Sequence, residues 1–429
     1  MLGRAFVTLC ALCASSTTAG ANPFEVLGLT SRHAGTANAG AASVDDSAAL
    51  YYNPAGLVAR PGRELMFGSI GAYANLERGD RFPDPLGVQL AVRTPVPLRG
   101  ALANRIVVGV ALHLVPRYIA HVIAPSPDEP YYPYYGDRMS RIVVLPGVAA
   151  RFGRLSVGAS VDVLAALGGT LSATEGTTRA LDSRADERIP TIARAILGAT
   201  WQATGCVRIG AVFRQRFDLA ISTQVRTLVA GEPIDLDIVA SGLYAPDQLV
   251  LGGAWSHGSS VVSLDLRYAR WSDYAGPFVR VSSVLPLVGD VPALSPSVPF
   301  EDTYGARAGL ETQLGTWIAR GGYGFETSPV PAVQTGVTNL LDGPRHTIAL
   351  GAGRRFGRIR VDAHVQLQLV QARELEKELF DNLGAYDPFT SLRDEDLNTN
   401  GVQITNPGFP GIGGGGQVLS GGVTLEVPL

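Results

Sequence analysis

Residues 358–371, RIRVDAHVQLQLVQ, alternate without a break: Ile359, Val361, Ala363, Val365, Leu367 and Leu369 lie on one face, Arg360, Asp362, His364, Gln366 and Gln368 on the other. A period of two belongs to an extended chain, whose successive side chains point to opposite faces. Strands of soluble domains run to about five or six residues. Alternation over roughly eleven is enough to cross a bilayer at a tilt of about 45°. The stretch SVVSLDLRYARW (260–271) repeats the pattern, with Val262, Leu264, Leu266 and Tyr268 opposite Ser263, Asp265 and Arg267. VRIGAVFRQRFDLAISTQVR (207–226) reads as one long strand. Val207, Ile209, Ala211, Phe213, Phe217, Leu219 and Ile221 face one way, Arg208, Arg214, Arg216, Asp218, Ser222 and Gln224 the other, with one interruption at Gln215.

Composition explains where such strands can live. Mean hydropathy is +0.16 with 17% charged residues, yet no apolar run beyond the N-terminus is long enough for a membrane helix. Dispersed hydrophobicity suits a transmembrane β-barrel, whose strands face lipid outside and water or packed protein inside. The N-terminus reads as an export signal: Arg4, an apolar run from Ala5 to Ala14, and Ala19-Gly20-Ala21 as the cleavage site, giving a mature start at Asn22 without a lipid anchor. Of the three cysteines only Cys206 survives cleavage, so no internal disulfide is expected. A formal net charge of −3 argues against nucleic acid.

Short glycine turns punctuate the strands: Phe152-Gly153-Arg154, Thr204-Gly205-Cys206, His257-Gly258-Ser259, Leu314-Gly315-Thr316 and Phe356-Gly357-Arg358. Longer excursions fall between them, around 169–189, 229–233, 284–302, 328–344 and 372–415. Tight turns at one end and long loops at the other are the habit of outer-membrane barrels. Up-strands are placed near Arg63, Arg105, Leu155, Val207, Ser260, Trp317 and Ile359. Down-strands are placed near Leu86, Arg141, Thr191, Pro233, Thr303, His346 and Gln417. The fold class is all-β, an antiparallel barrel of fourteen strands, with twelve or sixteen as alternatives and 86–94 as the weakest strand. The expected organisation is a signal peptide at 1–21, an N-terminal hatch at 22–62 and the barrel at 63–429.

The hatch expectation rests on what precedes the first strand. Residues 28–43, GLTSRHAGTANAGAAS, are small, as a plug packed against a wall requires, and DDSAALYYNPAGL follows at 45–57. Asn53-Pro54 starts a turn, since proline disfavours the helical region for the residue before it, and Gly56 is free to take a positive φ. A plainer reading is a helix from Asp46 to Tyr52 closed by a proline turn.

This motif resembles the opening of the FadL/TodX family of outer-membrane transporters of hydrophobic compounds, through Asp45, Asp46, Tyr51, Tyr52, Asn53, Pro54, Ala55 and Gly56. Similar blocks follow in order: DLRYARWSDY (265–274), EDTYGARAGLE (301–311), WIARGGYGFETSPVP (317–331) and DGPRHTIALGAGRRFG (342–357). The resemblance covers most of 22–370 and implies a fourteen-stranded, hatch-plugged barrel. It also implies capture of a hydrophobic small molecule, such as a fatty acid or hydrocarbon, outside, and release through a lateral gap. The partners expected with it are outer-membrane lipid and lipopolysaccharide and the barrel-assembly machinery, with no cofactor and no metal, in a monomer. Barrels of this kind commonly end on an aromatic residue, whereas this chain ends VTLEVPL on Leu429.

Several residues carry two readings each. Pro116 either kinks the third strand and opens a gap, or merely follows a strand ending at Val115. Arg208, Arg214, Arg216, Arg267 and Arg360 point inward on this register, as contacts for a ligand head group or as a polar wall balanced by Asp218, Asp265 and Asp362. Tyr131, Tyr132, Tyr134 and Tyr135 form either an external capture platform or part of an interfacial aromatic belt. The six histidines lie in no G-x-S-x-G or H-E-x-x-H context, so no enzyme is expected. The rival function is an open diffusion porin, from which the hatch distinguishes a carrier.

Overall fold

The computed structural model describes residues 23–78, 86–100, 103, 105–115, 129–135, 142–165, 168–175, 181–188, 191–229, 232–285, 289–294, 298–335, 338–378, 408 and 410–429, giving backbone alone within 164–192, 219–243 and 279–297 and at 335 and 378. Fourteen strands form the barrel: β1 Glu64–Leu76, β2 Leu86–Pro95, β3 Ile106–Leu114, β4 Val143–Phe152, β5 Leu155–Ala165, β6 Thr191–Gln202, β7 Val207–Arg214, β8 Asp247–His257, β9 Ser260–Arg270, β10 Thr303–Leu314, β11 Trp317–Glu326, β12 Arg345–Phe356, β13 Ile359–Glu378 and β14 Gly411–Pro428. Each pairs with its chain neighbours, and β14 returns antiparallel to β1, from Pro428 opposite Glu64 to Gly416 opposite Leu76. The barrel therefore has no free edge. Pro428 occupies the last ladder position, where a missing N–H is harmless, and Leu429 N donates to Arg63 O at 3.1 Å.

The tight turns are built as expected at Gly153, Gly258, Gly315 and Gly357, whose φ values lie between 58° and 63°. Gly205 differs. There Thr204 Oγ1 accepts from the amides of Cys206 and Val207 at 3.3 and 3.1 Å, so the side chain closes the turn. The outer surface carries the apolar half of each strand, with Leu264, Leu266, Leu350 and Val365 all more than half exposed. Near the tight turns stand exposed Phe152, Trp201, Trp255, Trp317 and Phe356; towards the other end stand Tyr73, Tyr304 and Tyr323. Trp317 and Tyr323 are six residues apart on β11, about 20 Å of strand, which approaches the ~25 Å apolar band of an outer-membrane barrel.

Two strand placements need correction. The alternation of 207–226 is not one strand. β7 ends at Arg214, and Phe217–Val229 belongs to a separate four-stranded sheet with Glu232–Ala245, Val279–Leu285 and Gly289–Leu294. Phe213 and Phe217 are an even number of residues apart, so the pattern stays in phase across the break. The returning barrel strand accordingly starts at Asp247 rather than near Pro233. β14 begins at Gly411, before Gln417, because GIGGGG has almost no side chains whose alternation could reveal it; its glycines pair with Arg373–Glu376. One irregularity lies in the wall itself. β4 pairs with β5 at Val144–Val163 and again at Gly147–Ser160, but the two positions between them, which include Pro146, are unpaired.

A charge on the lipid-facing side should discriminate this membrane-spanning reading from a soluble one. Leu264→Arg, at the middle of β9, is expected to destabilise the barrel by about 2–4 kcal/mol in urea unfolding from lipid vesicles, while Ser259→Arg in the adjacent turn changes it by no more than about 1 kcal/mol.

Candidate functional site: the filled lumen

Residues 23–58 are packed among the inward side chains of the barrel, and nearly all of them are buried. Their local structure is a set of short turns: helices Pro23–Val26, Ser31–Ala34 and Ala49–Tyr52, then a 3-10 turn Pro54–Val58. Such short pieces do not hold themselves together in water. Side chains of the motif do it instead. Asn53 Oδ1 accepts from Ala55 N at 3.1 Å, while its Nδ2 donates to Ala41 O at 2.6 Å and to Ala199 O of β6 at 3.1 Å. One amide thereby ties the proline turn, the small-residue loop and the wall. Tyr52 Oη donates to Asn38 Oδ1 at 2.6 Å and accepts from Leu29 N at 3.1 Å. Gly56 does not take a positive φ. It is glycine for space, since a Cβ there would stand 2.6 Å from Val44 O.

The wall is shaped to receive this backbone. Inward glycines face each other across neighbouring strands as Gly109 with Gly147, Gly158 with Gly198, Gly210 with Gly252 and Gly309 with Gly322. A Cβ at Gly158 would collide with the Pro54–Ala55 peptide, at Gly198 with Asn53, at Gly210 with Ala41 O and at Gly322 with the Thr36–Ala37 peptide. Where β9 lacks a glycine, Asp265 accepts from the amides of Gly40 and Ala41, both at 2.9 Å. Ser160 Oγ donates to Leu50 O at 2.6 Å, and Arg214 donates to Tyr51 O and Tyr52 O at 3.0 and 3.2 Å, its guanidinium 4.6 Å from the Tyr51 ring centre.

The segment presents two chemically different faces. Leu50, Tyr51 and Leu57 pack with inward Ala91, Val107, Ala111, Leu145, Ala149, Ile196 and Val212, an apolar contact with the β2–β7 wall. Opposite it lies an ionic layer. Arg32 pairs with Asp45 at 2.5 Å, Asp46 at 3.1 Å and Glu311 of β10 at 2.9 Å. His33 stands 3.2 Å from Asp46. Arg60 bridges Glu64 of β1 and Glu426 of β14, and Arg360 reaches Asp362, Glu426 and Asp46. Burial opposes ionisation of Asp46, yet His33, Arg32 and Arg360 hold its carboxyl well below the usual aspartate range. Burial likewise opposes ionisation of Asp45, and Arg32 overcomes it. A depressed carboxyl pKa stabilises the folded arrangement above the unfolded value of about 3.9 and loses that contribution as pH falls through the depressed one. Protonation of Asp45 and Asp46 should therefore raise single-channel conductance only in acid stronger than about pH 4.

Towards the long-loop end a second cluster joins Val26 and Leu27 to Tyr132, Tyr134, Tyr135, Tyr244, Trp271, Tyr274, Phe278 and Phe300. Tyr244 and Tyr274 stack at 4.4 Å, and Tyr134 lies under the Arg345 guanidinium at 3.5 Å. Tyr132 Oη donates to Glu77 O at 2.8 Å, and Tyr135 Oη to Gln368 Oε1 at 3.1 Å. The rings of Tyr132, Tyr134 and Tyr135 are buried within this cluster, while Tyr131 is half-buried beside it, so they pack with the segment and the long-loop residues rather than on the lipid-facing surface. Glu25 sits below them, hydrogen-bonded by Gln248 and paired with Arg267 at 2.5 Å, which in turn reaches Glu326 at 3.0 Å.

Arg208, Arg214, Arg267 and Arg360 all lie on inward positions, Arg208 donating to Gln202 Oε1 at 3.1 Å and Ala42 O at 3.4 Å. Arg216 is the exception: it is exposed and pairs with Asp273 at 2.6 Å, because β7 has already ended. Of the balancing carboxylates, Asp265 and Asp362 face inward, whereas Asp218 belongs to the separate sheet. Pro116 lies outside the described residues; β3 ends at Leu114, opposite Val88. Among the described residues no cluster of His, Cys, Asp or Glu could hold a metal ion.

Compared with solved structures, the chain aligns end to end with several of one kind. A Pseudomonas aeruginosa FadL homologue matches at a TM-score of 0.58 and 12% identity, over 96% of this chain and 100% of that one. The fold is that of the FadL and TodX channels. A TodX monoaromatic hydrocarbon channel variant gives 0.57 at 16% identity over 95% and 100%, and the Ralstonia pickettii toluene transporter TbuX 0.53 at 16% over 96% and 98%. No family model matches the sequence, and no curated protein matches it either. Identities this low speak for the FadL/TodX-type architecture alone.

The inward glycines and the inward apolar residues of β2–β7 are what reading strand by strand missed. Their signal was present: IVVGVALHL and VVLPGVAARF are apolar on both faces, which a wet lumen does not require. Gly210→Val should push the 40–42 loop off the wall and raise conductance in planar bilayers. Gly253→Val, next to a glycine on the same strand but with open space around its Cβ, should leave conductance unchanged.

Proposed function

We propose that this protein is an outer-membrane uptake channel for hydrophobic small molecules, with the tight turns facing the periplasm. The observation that carries the reading is the close backbone-to-glycine contact between residues 23–58 and the wall, which fills lumen that an open porin leaves to water. The hydrocarbon and toluene channels of the same fold support the cargo class. Capture is assigned to the aromatic cluster of Tyr132, Tyr134, Tyr135, Tyr244, Trp271 and Tyr274 beneath the long loops. These rings are packed against one another, so a ligand enters by replacing ring-to-ring contacts, with apolar burial worth about 25 cal/mol per Å² on leaving water.

The inward arginines fit a structural wall better than a head-group site. Arg267 and Arg360 already hold carboxylates, and Arg214 holds two hatch carbonyls. Release is assigned to a lateral opening between β4 and β5, at the unpaired positions that include Pro146, with Pro116, which follows β3 in the chain, as the second candidate. A backbone group left unsatisfied towards hydrocarbon costs several kcal/mol, so such a defect is tolerable where the hatch or a ligand lines it.

Two measurements test this. Proteoliposomes should swell slowly in small sugars yet take up toluene or a fatty-acid probe; rapid swelling in sugars would make the protein a diffusion porin. Pro146→Val, which lets the β4–β5 ladder close, and Pro116→Val, which restores a backbone N–H after β3, should slow uptake of the apolar probe while leaving its equilibrium binding intact. Unchanged transport in both would move the exit elsewhere.

A further inference from the structure

The tight-turn end of the lumen holds an imbalance of charge that the transport reading does not use. Its carboxylates are taken: Glu64 by Arg60 and Arg93, Glu426 by Arg60 and Arg360, Glu311 by Arg32 and Arg320, Asp45 by Arg32. Three other arginines that line the lumen here, Arg151, Arg154 and Arg208, have no ion pair among the described residues. Arg151 closes β4, Arg154 lies in the turn that follows, and Arg208 opens β7. All three line one cavity of 240 Å³, together with Ala59, Ser156, Thr200 and Gln202, and no carboxylate lines it. Arg151 there faces the like charge of Arg208. The hydroxyls of Ser156 and Thr200 hold no hydrogen bond among the described residues, although both residues are buried. Three guanidiniums and two hydroxyls line one space, where the protein acceptors they meet are Gln202 Oε1 and Ala42 O, both taken by Arg208, and Arg154, in the turn, is exposed.

We propose that this cavity is a binding site for a phosphate-type oxyanion, held by Arg151, Arg154 and Arg208 with Ser156 and Thr200. A carboxylate occupies one guanidinium fork. A tetrahedral dianion offers more acceptor oxygens and a second charge, which matches converging cations and hydroxyls better. The site touches the hatch as well. Arg208 donates to Ala42 O, and it also lines the neighbouring cavity of 110 Å³ with Arg32, Ser43 and Asp45. An anion that draws Arg208 towards Arg151 therefore weakens one hold on the small-residue loop. The phosphate can come from a soluble phosphate ester or from a phospholipid head group of the inner leaflet.

The experiment is calorimetric titration of the full-length protein in uncharged detergent, with inorganic phosphate as one probe and short-chain phosphatidylglycerol as the other. Binding of phosphate that weakens about tenfold or more in Arg151→Gln and in Arg208→Gln, and is unchanged in Arg63→Gln and Arg355→Gln, supports the site with a soluble source. The same pattern with phosphatidylglycerol alone supports it with a lipid source. Arg151→Lys, which keeps the charge and loses the fork, should retain part of the affinity. Heat-modifiable gel mobility confirms that each variant remains a barrel. Weak binding equal in the native protein and all variants, or no binding of either probe to the folded native protein, overturns the proposal.

Discussion

A backbone amide facing hydrocarbon must find its partner within the protein, and the rest of this structure follows from that requirement. Strands satisfy each other only if the last meets the first, so β14 must lie on β1 over its full length. Closure in turn imposes the alternation, because every strand then has one face in lipid and one in the lumen. It also sorts the loops, since an even number of strands returns both termini to one end. Proline is confined by the same rule. Pro428 sits at the final ladder position, and Pro146 sits where the β4–β5 ladder is interrupted.

Closure creates a second problem, a lumen wide enough to admit solutes, and the chain answers it with backbone rather than with large side chains. Short turns of residues 23–58 carry many amides and carbonyls that must be paired, which is why the wall supplies Ser160, Asp265, Gln89, Gln366 and Arg214 as partners to hatch backbone. Glycines at Gly158, Gly198, Gly210 and Gly322 let that backbone approach the strands closely. Small residues on both sides of the contact are therefore one requirement seen twice, once in GLTSRHAGTANAGAAS and once in the strands.

This explains what could be read from the sequence. The β9 and β13 alternations are long and strict, so their faces and starting points were legible, and so were the turns at Gly153, Gly258, Gly315 and Gly357. The end of β7 was not, because an even spacing between Phe213 and Phe217 carries the rhythm across Gln215 and Arg216 without a slip. Nor was the start of β14, where glycines leave no rhythm at all. In the hatch, Asn53 and Pro54 announced a turn, but the purpose of Gly56 was invisible. The reason for its missing Cβ is Val44, and contacts between distant segments leave no local pattern. The inward orientation of Tyr132, Tyr134 and Tyr135 was hidden for the same reason, since a loop that folds into the barrel and one that stands above it share one composition.

The two faces of the hatch divide its attachment into interactions of different kinds. The apolar face at Leu50 and Leu57 is held mainly by exclusion of water, which is non-directional and not screened by salt, with the Ser160 hydrogen bond to Leu50 O added to it. The ionic face at Arg32, Asp46 and Glu311 is directional, and removing one partner leaves a buried charge uncompensated, a loss of several kcal/mol. A tilt away from β10, β13 and β14 breaks several ion pairs together, whereas a slide along the β5–β7 wall breaks the hydrogen bonds of Ser160 to Leu50 O, Asn53 to Ala199 O and Arg214 to Tyr51 O. The side at Leu50, beside β3–β5, is the one on which two positions of the β4–β5 ladder are unpaired, Pro146 among them.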